Sequence, residues 1–323
     1  MTESEVISPR VPGYTVEGVL GSGGHGRLYA AVEVASGNPV AIKILQLESE
    51  HARDRFYDEA RLLARIRDPH VVAVYAFGEL ADGRPYIVLE RFGDADLARC
   101  TPRGVPAPHG FAVHMMSQLL AGLAAAHALG IVHRDVKESN LLLDRDSMRA
   151  KLCDFGIARS LVPLTDQADP TSTRVVVGTP HYIAPERYRG VRRDARSDLY
   201  SAGVVFHRLL TGRLPFDAPG LDAVAIARRA LKDDVPPLDG VPEALARVCL
   251  RLLDRDLECR FQTAREAMEA LHYAHQYGAD AGATLDEAPP CAAESASKRP
   301  LFWVSLLGVA ALVVAGLAWI LAG

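Results

Sequence analysis

The run Gly21-Ser22-Gly23-Gly24-His25-Gly26 has the form G-x-G-x-x-G. Glycines at that spacing let backbone N–H groups approach a phosphate with no Cβ in the way. The same letters mark a dinucleotide-binding turn, but that turn opens a helix. Here the residues that follow, RLYAAVEV, read as a strand, so the run is predicted to be the flap of a hairpin. Val40-Ala41-Ile42-Lys43 lies on the next strand. A lysine in an apolar strand is costly unless its charge has a partner. Phosphate oxygens and a carboxylate from the following helix would supply one, and Glu59 is the best-placed acid there. Taken alone, Lys43 reads equally as an edge-strand charge facing solvent. Further along, His133-Arg134-Asp135-Val136-Lys137-Glu138-Ser139-Asn140 gathers acid, amine and amide into one short run. Asp154-Phe155-Gly156 follows fourteen residues after Asn140.

These residues need a scaffold, and the chain has one. Residues 14–45 read as three strands, YTVEGVL, RLYAAVEV and PVAIKIL, separated by glycine turns. Residues 52–67 place Phe56, Ala60 and Leu63 at helical spacing. Two more strands, VVAVYAFGE and PYIVLER, come next. After about Gly93 the texture turns helical, as in FAVHMMSQLLAGLAAAHALG and EALARVCLRLL. A sheet-rich first third and a helix-rich remainder predict an α+β protein with two lobes.

Composition narrows the function. The 323 residues carry 36 Lys+Arg against 40 Asp+Glu, a net charge of −4. That balance argues against a nucleic-acid partner, which would bring a basic excess. Aromatic content of 7% argues against a base-stacking platform. The 5 cysteines are scattered with no CxxC, so a chain without a disulfide framework or zinc site, in a reducing compartment, is expected.

In order and spacing, the glycine run, VAIK, HRDVKESN, DFG, GTPHYIAPE and SDLYSAG resemble the bacterial membrane-anchored serine/threonine kinases of the eukaryotic-like (Hanks) type. The resemblance covers residues 14–272. It implies a bilobal kinase fold with an N-lobe over 14–92 and a C-lobe over 93–275, after an N-terminal extension over 1–13. It implies ATP and Mg²⁺, with Mn²⁺ as an alternative, and protein substrates with Ser or Thr acceptors. Asp135 would accept the substrate hydroxyl's proton and Lys137 would sit on the γ-phosphate. Asn140 and Asp154, as hard oxygen ligands, would hold the metal, and Lys43 would hold the α/β-phosphates while paired with Glu59. Gly21, Ser22, Gly23, Gly24, His25, Gly26 and Leu28 would cover the nucleotide. Adenine would lie between Ala41 and Leu142, with Leu89 as gatekeeper and Glu90 to Phe92 as the hinge. Lys137, two residues after Asp135, and Thr179 in Gly178-Thr179-Pro180 match the serine/threonine class. Arg134 beside the catalytic acid goes, in this family, with phosphorylation of the activation segment, and Thr171 and Thr173 are the expected sites. Glu186 is expected to pair with Arg260, and Asp198 to anchor the His133-Arg134 backbone.

The chain departs from the family pattern at four places. Glu138 and Leu257 each replace a proline, Leu28 replaces a valine, and His25 stands at the flap tip where a small or apolar residue is usual. Glu138 is expected to add negative charge near the substrate. Two further readings compete with the kinase: a catalytically silent scaffold, which the intact Lys43, Asp135, Asn140 and Asp154 disfavour, and a nicotinamide enzyme, which lacks the strand-to-helix context.

Residues 276–300, rich in Ala, Pro, Ser and acid, read as a linker. From Leu301 onward there is no charged residue; 23 residues would make a helix of about 34 Å, enough to cross a bilayer core. Trp303 and Trp319 sit near its ends, and Lys298 and Arg299 precede it, which predicts a cytoplasmic flank. A transmembrane helix over 301–322 is therefore expected, single-pass in the cell membrane with the kinase domain cytoplasmic. Gly308, Ala311, Ala315, Ala318 and Ala322 share one face, through which a homodimer could form.

Overall fold

In the computed structural model the described residues are 9–23, 26–46, 50–155, 180–191, 194–217 and 220–278. The chain divides into two units, Met1–Gly282 and Ala283–Gly323. The second unit lies outside the described residues. So do Gly24 and His25, the candidate phosphosites Thr171 and Thr173, Thr179, and the predicted membrane helix over 301–322.

The first third is one antiparallel sheet. Its strands are β1 (Tyr14–Gly23), β2 (Gly26–Glu33), β3 (Pro39–Leu45), β4 (Val74–Glu79) and β5 (Pro85–Glu90), in the spatial order β1-β2-β3-β5-β4. The β-branched and aromatic residues of β2 and β3 explain the pairing: Ile42 is fully buried, and Tyr29, Val40 and Ile44 nearly so. Lys43 is on the central strand, so the edge-strand reading is excluded. Gly26 adopts φ 139, and a Cβ there would meet the Ile44 carbonyl oxygen at 2.1 Å, so β2 and β3 can close only around glycine. Helix α1 (Glu50–Leu63) packs Phe56, Ala60 and Leu63 on the sheet with Val74 and Ile87.

A short sheet of β6 (Ala95–Asp96), β7 (Leu141–Asp144) and β8 (Arg149–Leu152) follows the hinge. Around it are helices α2 (Leu97–Cys100), α3 (His109–His127), α4 (Pro185–Tyr188), α5 (Arg196–Thr211), α6 (Ala223–Lys232), α7 (Glu243–Leu252) and α8 (Ala264–Gln276). Every residue of α5 from Ser197 to Leu210 is buried. A helix enclosed on all sides must find partners for its polar side chains, and those of α5 prove central to the site. α8 continues through Gln276, one residue past the expected end of the C-lobe at 275, because Leu271 and Ala274 still bury their faces there. Among the described residues, no helix is long and apolar enough to cross a membrane. Cys100, Cys153 and Cys249 are free thiols.

Candidate active site

The catalytic run is anchored from beneath by α5. Asp198 accepts hydrogen bonds from the backbone N–H of His133 (2.7 Å) and of Arg134 (2.8 Å), and its Oδ2 meets His127 Nε2 at 2.9 Å. Burial works against its ionisation, but His127 and His133 and the backbone donors hold the Asp198 carboxyl below the usual carboxylate range. The anchor holds Arg134 at φ 67, a left-handed conformation that turns the chain sharply before Asp135. His133, fully buried, has its pKa lowered by desolvation, which keeps the ring neutral. Its Nε2 lies 2.9 Å from the Cys153 carbonyl oxygen, and its ring lies 4.4 Å from that of Phe155.

Four catalytic-type side chains follow from that frame. Lys137 Nζ lies 3.1 Å from Asp135 Oδ2. Asn140, at the end of a 3₁₀ turn over Glu138–Asn140, donates through Nδ2 to the Asp135 carbonyl at 2.7 Å. The amide nitrogen is thereby committed, which orients the side-chain oxygen as the remaining acceptor. The Cys153 N–H donates to the Asn140 carbonyl at 2.9 Å, so Asp154 follows directly beside Asn140. Asp154 itself has φ 55. Desolvation would raise its pKa, yet Lys43 at 2.6 Å, with lesser help from His133 and Lys137, brings the carboxyl below its usual value. Two hard oxygen donors, an ionised carboxylate and an oriented amide, fit Mg²⁺, which takes few protein ligands and completes its shell with waters and phosphates.

One predicted pairing takes another form in this structure. Lys43 pairs with Asp154, and Glu59 lies 3.6 Å from Arg134 Nη1. The reason is proximity: the turn at Asp154 sets a carboxylate within hydrogen-bond reach of Lys43, while the turn at Arg134 presents a guanidinium to α1. A correction concerns Glu138. It is 2% exposed and faces inward, paired with Arg208 at 3.0 Å and accepting from the Tyr182 hydroxyl at 2.5 Å. Its charge is neutralised in the core, because Arg208 on the enclosed α5 needs a counter-charge.

The predicted nucleotide pocket is set by strand register. Ala41 pairs with Leu89, Leu28 with Lys43, and Gly21 with Leu28. Ser22 pairs with Arg27 and Gly23 with Gly26 across the flap. Leu142 is on β7, opposite Lys151. Cys153 is partly exposed next to this pocket, and burial of its sulfur pushes the thiol pKa well up, leaving it protonated. Leu63 and Val74 share one core with Phe155 packed against it, which joins α1 to the catalytic turn. Glu186 and Arg260 form a buried two-pronged pair at 2.9 and 3.1 Å.

Sequence reasoning missed the Lys151–Glu90 contact. Lys151 Nζ lies 2.6 and 2.7 Å from the two Glu90 oxygens, and the Phe92 ring stands 5.0 Å from that ammonium. A lysine between Ala150 and Leu152 in the short strand RAKL was its signal.

The protein kinase domain family matches residues 14–274. Serine/threonine-protein kinase pkn2 of Myxococcus xanthus is 40% identical over 269 residues, covering 79% of this chain and 32% of pkn2. PknL of Mycobacterium tuberculosis is 37% identical, covering 88% of this chain and 68% of PknL. PrkC of Bacillus subtilis is 35% identical, covering 82% of this chain and 41% of PrkC. The chain thus spans about a third of the length of pkn2.

Proposed function

The chain belongs to the protein kinase family, and from that premise we propose that it is a serine/threonine kinase that transfers the γ-phosphate of ATP to hydroxyls of proteins. The observation that carries this reading is the convergence of three separate stretches of chain: Lys43 on Asp154, and Asp135, Lys137 and Asn140 in one run, joined to Asp154 through the Cys153–Asn140 backbone bond. The similarity to relatives named as serine/threonine-protein kinases supports it.

Phosphoryl transfer asks a protein mainly for alignment and for neutralisation of spreading negative charge. In this reading Asp135 takes the hydroxyl's hydrogen bond and accepts its proton as the oxygen attacks. Lys137, 3.1 Å from that carboxylate, supplies positive charge where the γ-phosphoryl oxygens gather it. Lys43 moves from Asp154 to the nucleotide phosphates and to Glu59. Asp154 and Asn140 would hold Mg²⁺, which would supply positive charge against the phosphates. Ala41, Leu89 and Leu142 enclose the adenine.

The finer reading is that one or both of Thr171 and Thr173 are autophosphorylated, with Arg134 as a cationic partner for the phosphate. The uncharged stretch over 301–322 anchors the kinase to the cytoplasmic face of the membrane, and the small-residue face of that stretch favours a homodimer. The test is transfer of γ-labelled phosphate to a generic protein substrate with Mg²⁺. Transfer by the wild type and its loss in Lys43→Met and Asp135→Asn are expected; equal labelling by all three proteins overturns the reading. Phosphopeptide mapping over 160–179 checks the autophosphorylation, and flotation with liposomes before and after deletion of 301–323 checks the anchor.

A further inference from the structure

Glu138 is the residue immediately after Lys137, and its carboxylate is turned away from the catalytic acid into the core. Glu138 is 2% and Arg208 7% exposed, so both charges are withdrawn from water. Arg208 Nη1 lies 3.0 Å from Glu138 Oε1, an approach without hydrogen-bond alignment, while its Nη2 donates to the Thr101 carbonyl at 2.8 Å. Such a pair is weak as a device for stability, since desolvation offsets most of its attraction. What it fixes is geometry. The other Glu138 oxygen accepts from the Tyr182 hydroxyl at 2.5 Å.

Tyr182 belongs to the 3₁₀ turn Pro180–Tyr182, next in sequence to Thr179. That turn is tied to its own side of the fold by two hydroxyls: Tyr188 donates to the Pro180 carbonyl at 3.1 Å, and Ser201 to the Tyr182 carbonyl at 2.7 Å. Glu138 provides a contact in the other direction, to the loop that carries Asp135 and Lys137. Burial, with the Glu138 carboxylate beside it, raises the Tyr182 phenol pKa far above its ordinary value, so it remains a donor throughout the physiological range.

We propose that Glu138, held by Arg208, and Tyr182 form a positioning unit that sets the substrate-side turn in register with the catalytic loop, and so governs productive binding of the protein substrate rather than of ATP. This rests on the kinase reading above. Tyr182 and Glu138 touch no reacting atom; they act through the placement of the Pro180–Tyr182 turn, Asp135 and Lys137.

The test is initial-rate kinetics of the full chain with myelin basic protein and Mg-ATP, varying each in turn. Tyr182→Phe deletes one oxygen and keeps the ring. A hydrogen bond to a charged acceptor is worth a factor of about ten or more, so the KM for the protein should rise by about tenfold. The KM for ATP should stay within about twofold, since the adenine and phosphate contacts are elsewhere. Glu138→Gln keeps an acceptor for the phenol and should raise the protein KM less. Adding it to Tyr182→Phe should bring less than the product of the single effects, because the two changes act on one contact. An unchanged protein KM in Tyr182→Phe overturns the proposal. So does a parallel rise in both KM values accompanied by a lower Tm, which is the mark of a merely structural role. If the wild-type chain transfers no phosphate while still binding Mg-ATP, the kinase reading itself falls and this proposal with it.

Discussion

The Arg134 guanidinium meets the Glu59 carboxylate at 3.6 Å, and both side chains are largely but not wholly withdrawn from water, at 19% and 28% exposure. Lys43, which the kinase reading pairs with Glu59, is on Asp154. Two cations and two carboxylates therefore form two pairs, one on the Asp154 turn and one between the Arg134 turn and α1. In the kinase reading a change of partners would bring Glu59 to Lys43, release Arg134 toward an added phosphate, and leave the Asp154 carboxylate for the metal.

Glu59→Gln separates the structural from the catalytic worth of that carboxylate. A partly exposed pair contributes little to stability, about 1 kcal/mol at most, so the Tm should hardly move. Loss of the Lys43 partner in the working arrangement misplaces the phosphates, and misplacement on the scale of an ångström costs on the order of 100-fold. Calorimetry and steady-state kinetics on the same preparation check both halves. A fully active Glu59→Gln enzyme would show that Lys43 needs no partner on α1.

Asp154→Asn tests the metal role. Asp154 has its pKa lowered below the ordinary value of 3.8, so it is ionised across the neutral range and its own titration contributes no acidic limb to activity above that value. Replacing it by a neutral amide removes a preorganised charge, for which a loss on the order of 1000-fold is expected. Chelation of divalent ions by EDTA should abolish transfer by the wild type, and added Mg²⁺ should restore it. Transfer that persists in excess chelator would remove the metal from the account.

Much of the site was legible because its residues are local in sequence. The 133–140 run, the 154–156 run and VAIK each fit within a few residues, and the apolar run around Lys43 marked its neighbours as core. The partners of those residues were harder to read. Glu138 stood out as a departure, yet its counter-charge lies 70 positions away on α5, and no local pattern links Glu138 with Arg208. The choice between Glu59 and Asp154 for Lys43 depends on which carboxylate tertiary packing brings nearest, and charge type alone cannot rank them. Central rather than edge placement of β3 likewise follows from the crossover that seats β5 beside it.

The Glu186–Arg260 pair predicts how the C-lobe responds to acid. Arg260 is fully buried, and Ser197 adds a third contact to Glu186 at 2.6 Å. Burial opposes ionisation, but Arg260 and Ser197 hold the Glu186 carboxyl below its ordinary value of 4.5. A depressed native pKa means the stabilisation is complete above the unfolded value and is lost as pH falls through the folded one. The melting temperature of wild type should therefore decline below about pH 4.5 more steeply than that of Glu186→Gln. Arg260→Met, which strands the buried carboxylate, should cost about 3–5 kcal/mol at neutral pH. Denaturant melts across pH 3–7 measure both; parallel curves for wild type and Glu186→Gln would deny the linkage.

Lys151 offers the cleanest test of the hinge. Its ammonium takes both oxygens of Glu90, and Glu90 Oε2 also accepts from the Ala73 N–H at 3.1 Å. The hinge is thus fastened to β8 on one side and to the entry of β4 on the other, while the Phe92 ring covers the ammonium. Lys151→Met keeps the length and apolar stem of the side chain and removes only the charge. Glu90 then loses its main partner, and the backbone from Glu90 to Phe92, which the kinase reading sets against the adenine edge, is released. A charge-assisted contact of this kind is worth about 1.5–3 kcal/mol, so the KM for ATP should rise at least about tenfold, with kcat within a few-fold because Asp135, Lys137 and Asp154 keep their places. Glu90→Gln should show the same split in weaker form, since an amide still accepts from Lys151. Equal ATP affinity in wild type and Lys151→Met, measured by calorimetric titration, would mean that strand pairing between β3 and β5 alone sets the hinge.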